Sequence, residues 1–265
     1  MSIKKLGFIG CGNMGGAILD GIIAGGVIEP SDIAVYDIRD EIMVNVKNKG
    51  VTVASGIPDL CACSELVLLA VKPNTVEEVM VGMKGTLAGK ALLSIAAGTS
   101  YAKLRAWADS SFRILRIMPN TPAMVGAGAT VLCSDTDLTE KEKGEADRIF
   151  RSVGLVEWLP EKLIDVVTGL SGGGPAYAAM FIEALADGGV REGLPRSTAY
   201  RLAAQTVLGS TRMILEKDLH PGALKDMVCS PGGTTIEGVK ALEEGGFRAA
   251  VINSVIESSE KAGKL

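Results

Sequence analysis

Short apolar runs alternate with amphipathic stretches through residues 1–160, a rhythm that predicts a parallel sheet covered by helices. The apolar runs fall at 6–10, 33–37, 51–53, 66–71, 91–95 and 114–118, each short enough for a buried strand. Between them, Met14, Ile18 and Ile22 recur every four residues, and Val76, Val79, Met80 and Met83 follow an i, i+3, i+4, i+7 order. Either set makes one apolar helical face to lie on the sheet. Thr139 with Glu142 has the spacing of a capping box and opens a helix through Phe150, and residues 156–159 give a closing strand. Beyond Pro160 the pattern contains only helical periods punctuated by glycine and proline. Prolines suit a first helical turn, so helices are expected from Pro175, Pro195 and Pro221. Two more are predicted at 235–244 and 247–261, the second with Phe247, Val251 and Val255 on one face.

Composition narrows the class. Of 265 residues 47% are hydrophobic and 22% charged, enough for a proper core and against extended disorder. A net charge of −4 and 4% aromatic residues give neither a basic field nor a base-stacking platform, so nucleic acid is not an expected partner. No uncharged apolar run reaches membrane-spanning length, and Met1-Ser-Ile-Lys-Lys5 leads straight into the first strand. Five cysteines, an odd number without regular spacing, fit buried thiols in a reducing compartment. The expectation is a soluble, cytoplasmic protein without membrane partners. With one histidine, His220, and a lone Cys61-Ala-Cys63, no metal site is expected.

Chemistry enters at Gly10-Cys11-Gly12-Asn13-Met14-Gly15. The string alone is weak, but it follows a strand, opens an amphipathic helix, and precedes a second strand ending in Asp37. Gly10 would allow the tight turn, Gly12 the approach of a pyrophosphate, and Gly15 close helix–sheet packing, with N–H groups of the helix start facing the phosphates. Residues 1–160 therefore read as an α/β, Rossmann-type doubly wound dinucleotide-binding domain, and 161–265 as an all-helical domain. Asp37 is placed to accept from an adenosine ribose, which favours NADH. Arg39 is placed to meet a 2′-phosphate, which permits NADPH, and the pair leaves the choice open. Ala70-Val71-Lys72-Pro73 and Ala96-Ala97 follow further strands and line the same crevice, the small alanines leaving room for a flat ring. Lys72 either touches phosphate or ribose or faces solvent.

Three further clusters are rich in small and polar residues. Asn120, between Pro119 and Pro122, either orients a nicotinamide or substrate or belongs to a plain turn. Ser171-Gly-Gly-Gly-Pro175 forms either a flexible mouth beside a ligand or a site of close helix packing. Ser230-Pro231-Gly232-Gly233-Thr234-Thr235 precedes a helix, so its N–H groups make a nest for an anion. The first nest serves the dinucleotide, and the second then suits a carboxylated substrate, unless the threonines are plain N-caps. His220 before Pro221 reads as a helix-start residue. No Ser-His-Asp or Cys-His set and no evident general acid is found. That leans toward C=N reduction, because a protonated imine is already electrophilic and chiefly needs positioning.

Five blocks carry a family resemblance: Gly7-Phe-Ile-Gly-Cys-Gly-Asn-Met-Gly15, Ala70-Val-Lys-Pro73, Met118-Pro-Asn-Thr-Pro122, Gly169-Leu-Ser-Gly-Gly-Gly-Pro-Ala-Tyr177 and Asp226-Met-Val-Cys-Ser-Pro-Gly-Gly-Thr-Thr235. In this order, over almost the whole chain, they resemble the pyrroline-5-carboxylate reductases. The resemblance implies that 161–265 is a substrate and dimerisation domain, with NADPH or NADH as cofactor, a small imino acid as substrate, L-proline as product, and a homo-oligomer that is at least a dimer. By position it gives residues 10–15, Asp37 and 70–73 to the dinucleotide, and Ala96 and Ala97 to the nicotinamide. Thr234 and Thr235 go to the substrate carboxylate and ring, with Glu161 and Ser171 near that pocket. Thr235 and Ser171 are the catalytic candidates, and Ser230, Gly232 and Gly233 complete the substrate nest. The chain departs from the family at Gly15, where alanine is frequent, and at Asp37, where residues suited to NADPH are frequent. The β-hydroxyacid dehydrogenases share the opening motif but place a lysine soon after their glycine-rich interdomain segment. Here no lysine occurs between Gly174 and Lys217. A nucleotide-sensing protein without a working substrate site would lack a reason to keep the 230–235 nest.

Overall fold

Each apolar run becomes a strand wherever both of its faces find a helix to lie against. In the computed structural model, which describes residues 2–86, 89–108 and 112–264, the first half of the chain runs β1 (Lys4–Ile9), α1 (Asn13–Ala24), β2 (Ile33–Tyr36), α2 (Asp40–Asn48), β3 (Thr52–Val53), α3 (Ile57–Cys63), β4 (Ser64–Leu69), α4 (Val76–Gly82), β5 (Ala91–Ser94) and α5 (Tyr101–Trp107). It continues through β6 (Arg113–Met118), β7 (Gly128–Cys133), α6 (Glu140–Arg151), β8 (Gly154–Leu159) and the single turn α7 (Ile164–Val167). The eight strands form one sheet in the order β3-β2-β1-β4-β5-β6-β7-β8. Alternate residues divide between its faces. Phe8, Leu68 and Leu93 pack with Ile18 and Ile22 of α1, whereas Ile9, Val67 and Leu92 pack with Leu60 of α3, Met80 of α4 and Leu104 of α5. Burying a side chain of this size contributes roughly 1.5–3 kcal/mol, so the two-sided core fixes the register.

The expected all-parallel sheet needs one correction. β7 pairs antiparallel with β6, at Ile117 with Leu132 and Met118 with Val131, and β8 then runs parallel to β7. The pattern reading passed over β7, although Thr130-Val-Leu-Cys133 is an apolar run with a β-branched start. The two-residue link between Val125 and Gly128 contains Gly126 in the left-handed region (φ +70°), which helps to reverse the chain without an α-helical crossover.

The chain divides into two compact units, Met1–Gly172 with Ser258–Leu265, and Gly173–Glu257. The compact units part at Gly172 rather than at Pro160 because Ile164 and Val167 are buried in the sheet's core, and Glu161 pairs with Arg116 of β6. The second unit holds α8 (Gly174–Arg191), α9 (Arg196–Lys217), α10 (Pro221–Val228), α11 (Thr234–Glu244) and most of α12 (Phe247–Ala262). Pro175 and Pro221 occupy first turns, whereas Pro195 is the residue capping α9. His220 caps α10, its Nδ1 accepting the Gly222 N–H at 3.1 Å.

Candidate active site

The glycine turn between β1 and α1 sits at the point where the strand order reverses, β1 lying between β2 and β4. Gly10 has φ +84°, and a Cβ there would stand 2.7 Å from the Ala70 carbonyl oxygen. A Cβ on Gly15 would stand 2.8 Å from the Gly10 oxygen, so α1 lies tightly on the turn. Gly12 is the N-cap of α1 in extended backbone, and no side chain caps the helix. The first-turn N–H groups at Asn13 and Met14 thus start an uncapped helix of twelve residues, a geometry suited to a phosphate. The adjoining cleft is lined by Cys11, Gly12, Asn13 and Gly16 with Arg39 and Lys49. Cys11 itself turns into the core. Burial, and then the Asp37 charge, push its thiol up to about 12, so it is inert at neutral pH.

Asp37 does not present the free carboxylate expected of a ribose ligand. It is 8% exposed, and its Oδ2 accepts the Cys11 N–H at 2.8 Å and the Arg39 Nη2 at 3.2 Å. Its Oδ1 accepts the Arg39 N–H at 3.0 Å and the Arg39 Nε at 3.1 Å. Burial pushes the Asp37 carboxyl up, but the Arg39 guanidinium and the two backbone N–H groups outweigh it and hold the carboxyl below its ordinary value.

The loops that follow β4, β5 and β6 reach the same edge of the sheet. Ala70 donates its N–H to the Ile9 carbonyl at 2.9 Å, and Ile95 donates to Leu69 at 3.1 Å, which keeps neighbouring strand ends level. Ala96 is buried and Ala97 exposed. Val71 is half-buried, and Lys72 and Pro73 are exposed, Lys72 preceding a single turn at Pro73–Thr75. The Asn120 amide is engaged inside the protein. Its Nδ2 donates to the Ser171 carbonyl at 3.0 Å and its Oδ1 accepts the Ala129 N–H at 2.8 Å.

Glu161 is likewise engaged by internal partners. Its Oε1 accepts the Tyr101 N–H at 2.6 Å and the Arg116 Nη1 at 3.1 Å, while its own N–H donates to Asp135. Arg116, 8% exposed, also faces Asp165 at 3.7 Å. This cation escaped the sequence reading, and its signal was an arginine inside the apolar strand Ile114-Leu-Arg-Ile-Met118. Asn45 of α2 and Lys49 at its C-terminal cap also line the cleft and were missed, because α2 was not predicted. The expected flexible mouth at Ser171 is a wound segment: residues Thr168–Gly172 form a π turn that continues α7. Such turns recur at functional sites. The Ser171 hydroxyl donates to the Val167 carbonyl at 3.1 Å, which leaves its oxygen as an acceptor.

In the second unit, Ser230-Pro231-Gly232-Gly233 closes a turn in which the Gly233 N–H donates to the Ser230 carbonyl at 3.0 Å. Gly232 has φ +67°, so proline and glycine occupy the two central positions that a type II turn demands. Gly233, not a threonine, is the N-cap of α11, and no side chain caps it. Thr234 and Thr235 open the first helical turn with exposed side chains. The eleven-residue helix therefore presents N–H groups and two hydroxyls together, a site able to hold a carboxylate.

A glycine turn shaped for a dinucleotide on a doubly wound sheet, followed by helices with a second anion nest, defines a nicotinamide-dependent oxidoreductase. Residues 161–265 match the family described as pyrroline-5-carboxylate reductase dimerisation, and residues 5–98 that described as NADP oxidoreductase, coenzyme F420-dependent. The chain is 45% identical to the pyrroline-5-carboxylate reductase of Escherichia coli (strain K12) over 99% of its own length and 98% of that protein's. The solved structure of such a reductase from Coxiella burnetii superposes with a TM-score of 0.93 at 35% identity, covering 99% of this chain and 98% of that one. The Plasmodium falciparum pyrroline carboxylate reductase with NADP bound gives 0.88 at 35% identity, covering 100% and 98%. The chain belongs to the pyrroline-5-carboxylate reductase family.

Proposed function

We propose that the chain reduces the C=N bond of 1-pyrroline-5-carboxylate to give L-proline, the last step of proline biosynthesis, with NADPH or NADH as hydride donor. The observation that carries the reading is similarity at 45% identity running over 99% of the chain, and so across both anion nests. The bound dinucleotide supplies the hydride. The α1 N-terminus with Gly12, Asn13 and Met14 takes the pyrophosphate, and Ala70, Ala96 and Ala97 leave space for the nicotinamide ring. The N–H groups of α11 and the hydroxyls of Thr234 and Thr235 hold the substrate carboxylate. Ser171, its proton already engaged by Val167, offers an acceptor to the protonated ring nitrogen. Orientation thus does most of the catalytic work. Five unpaired thiols support a reducing, cytoplasmic compartment, and the dimerisation-type helices support a homo-oligomer. Oxidation of NADPH and NADH is to be followed with pyrroline-5-carboxylate, and reduction of the oxidised cofactors with a panel of 3-hydroxy acids. Turnover is expected with the imine only, and activity confined to the hydroxy acids would overturn the reading.

A further inference from the structure

The cleft beside Gly12 contains an ion pair whose geometry bears on which dinucleotide is selected. Asp37 receives four hydrogen bonds, two on each oxygen, from the Cys11 N–H, the Arg39 N–H, Nε and Nη2. A carboxylate has about four lone-pair sites, so a ribose diol would have to displace one of these donors. A guanidinium carries five N–H donors in a rigid fork. Arg39 turns its Nε–Nη2 edge to Asp37. Its outer edge, Nη1 with the second Nη2 hydrogen, meets no other acceptor among the described residues, and the side chain is 49% exposed. Nη2 lies 3.1 Å from where a Cβ of Gly12 would stand, which puts this edge at the wall of the phosphate turn. The other cation of the cleft, Lys49, is already paired with Asp20 at 2.5 Å.

We propose that Arg39 selects NADPH, its outer edge binding the 2′-phosphate of the adenosine ribose, and that Asp37 is the positioning residue that holds it there rather than a ribose ligand. The inference rests on the dinucleotide half of the proposed function and is independent of the imine. A planar fork fits two phosphate oxygens at once, which a lysine at this place would not. Its fixation by Asp37 removes rotamer freedom before the ligand arrives, so less is lost on binding. Asp37, compensated by a guanidinium in direct contact, does not repel the phosphate. The roles predict an inversion: removing the acid weakens NADPH binding, although charge alone argues that it should strengthen it.

Calorimetric titration of the full-length protein with 2′,5′-ADP and with 5′-AMP reads the 2′-phosphate contact without any turnover. The unaltered protein is expected to prefer 2′,5′-ADP by roughly 10- to 100-fold, the range for hydrogen bonds to a charged group. Arg39→Met should abolish the preference while leaving 5′-AMP affinity in place, and Arg39→Lys should retain part of it. Asp37→Asn should lower 2′,5′-ADP affinity several-fold, about one lost charge-assisted hydrogen bond, again with 5′-AMP unchanged. A preference that survives Arg39→Met, or 2′,5′-ADP affinity that holds or rises in Asp37→Asn, overturns the proposal. Should Arg39→Met not fold, as judged by circular dichroism, an undiminished preference in Arg39→Lys overturns it equally. Selective 2′,5′-ADP binding through Arg39 in a chain that leaves the imine untouched would refute the proposed reaction and leave this inference standing.

Discussion

Thr235 and Glu161, both given to the substrate pocket by the family resemblance, stand in very different surroundings. Thr235 stands in the open first turn of α11, whereas Glu161 is held by the Tyr101 N–H and by Arg116. Thr235→Val keeps shape but leaves a ligand group unpaired, so catalytic efficiency should fall by an amount equivalent to roughly 1–3 kcal/mol, with dinucleotide affinity unchanged. Glu161→Gln should do the reverse. Breaking a fully buried pair costs about 3–5 kcal/mol, but Glu161 is 27% exposed and screened, so about 1 kcal/mol of stability is expected to go. Its KM for the imine should not move. Calorimetric unfolding beside steady-state kinetics separates the two, and a raised KM at unchanged stability would return Glu161 to the substrate site. The turns at Gly10 and Gly232 were legible in sequence because glycine and proline act through local backbone geometry. The hydrogen-bond partners of Glu161, Asn120 and Asp37 were not, because they are set by strand register or by a guanidinium's reach.

Among elements, the same division holds between what a local pattern encodes and what tertiary pairing decides. The central predicted strands β2, β4 and β5 appear because they are largely apolar on both faces, and α6 begins at Glu140, after Thr139, as its capping box dictates. β7 was missed because its partner arrives by a left-handed turn rather than by the crossover that the βα rhythm leads one to expect. α6 also carries a pH-dependent tie to the sheet. Glu142 caps Thr139 at 2.9 Å and accepts from the Arg113 Nε at 2.8 Å and Nη2 at 2.6 Å. Burial pushes the Glu142 carboxyl up, yet the Arg113 hydrogen bond and the cap outweigh it, leaving it below the ordinary 4.5. The folded state therefore binds its proton less readily than the unfolded chain. The stability so gained is full above about pH 4.5 and is lost as pH falls toward the lower folded value. Glu142→Gln should melt at a lower temperature than the parent at pH 7, and the gap should close on acidification. A gap that is constant with pH would mean that the ionised carboxylate contributes nothing to holding α6.

At the scale of the molecule, the helical unit does not account for its own apolar surface. Ala186, Ala199 and Ala203 form its only fully buried cluster among the described residues. Meanwhile Met180 is 70% and Leu215 71% exposed, with Leu202, Leu208, Val251 and Ile252 also open. Exposed apolar side chains in this number mark a partner surface, and residues 161–265 match a dimerisation family. A two-fold pairing of identical helices is the usual closed solution, and an obligate homodimer interface buries about 2,000–5,000 Å². The expected species is an obligate dimer or larger. Leu202→Glu places a charge on α9 at an exposed leucine. If that leucine lies in the interface, the substitution should shift light scattering toward the 27.5 kDa monomer, and imine reduction should fall in parallel. Catalysis by the unaltered protein at the monomer mass, at any concentration, would show that the helical unit is sufficient without a second copy.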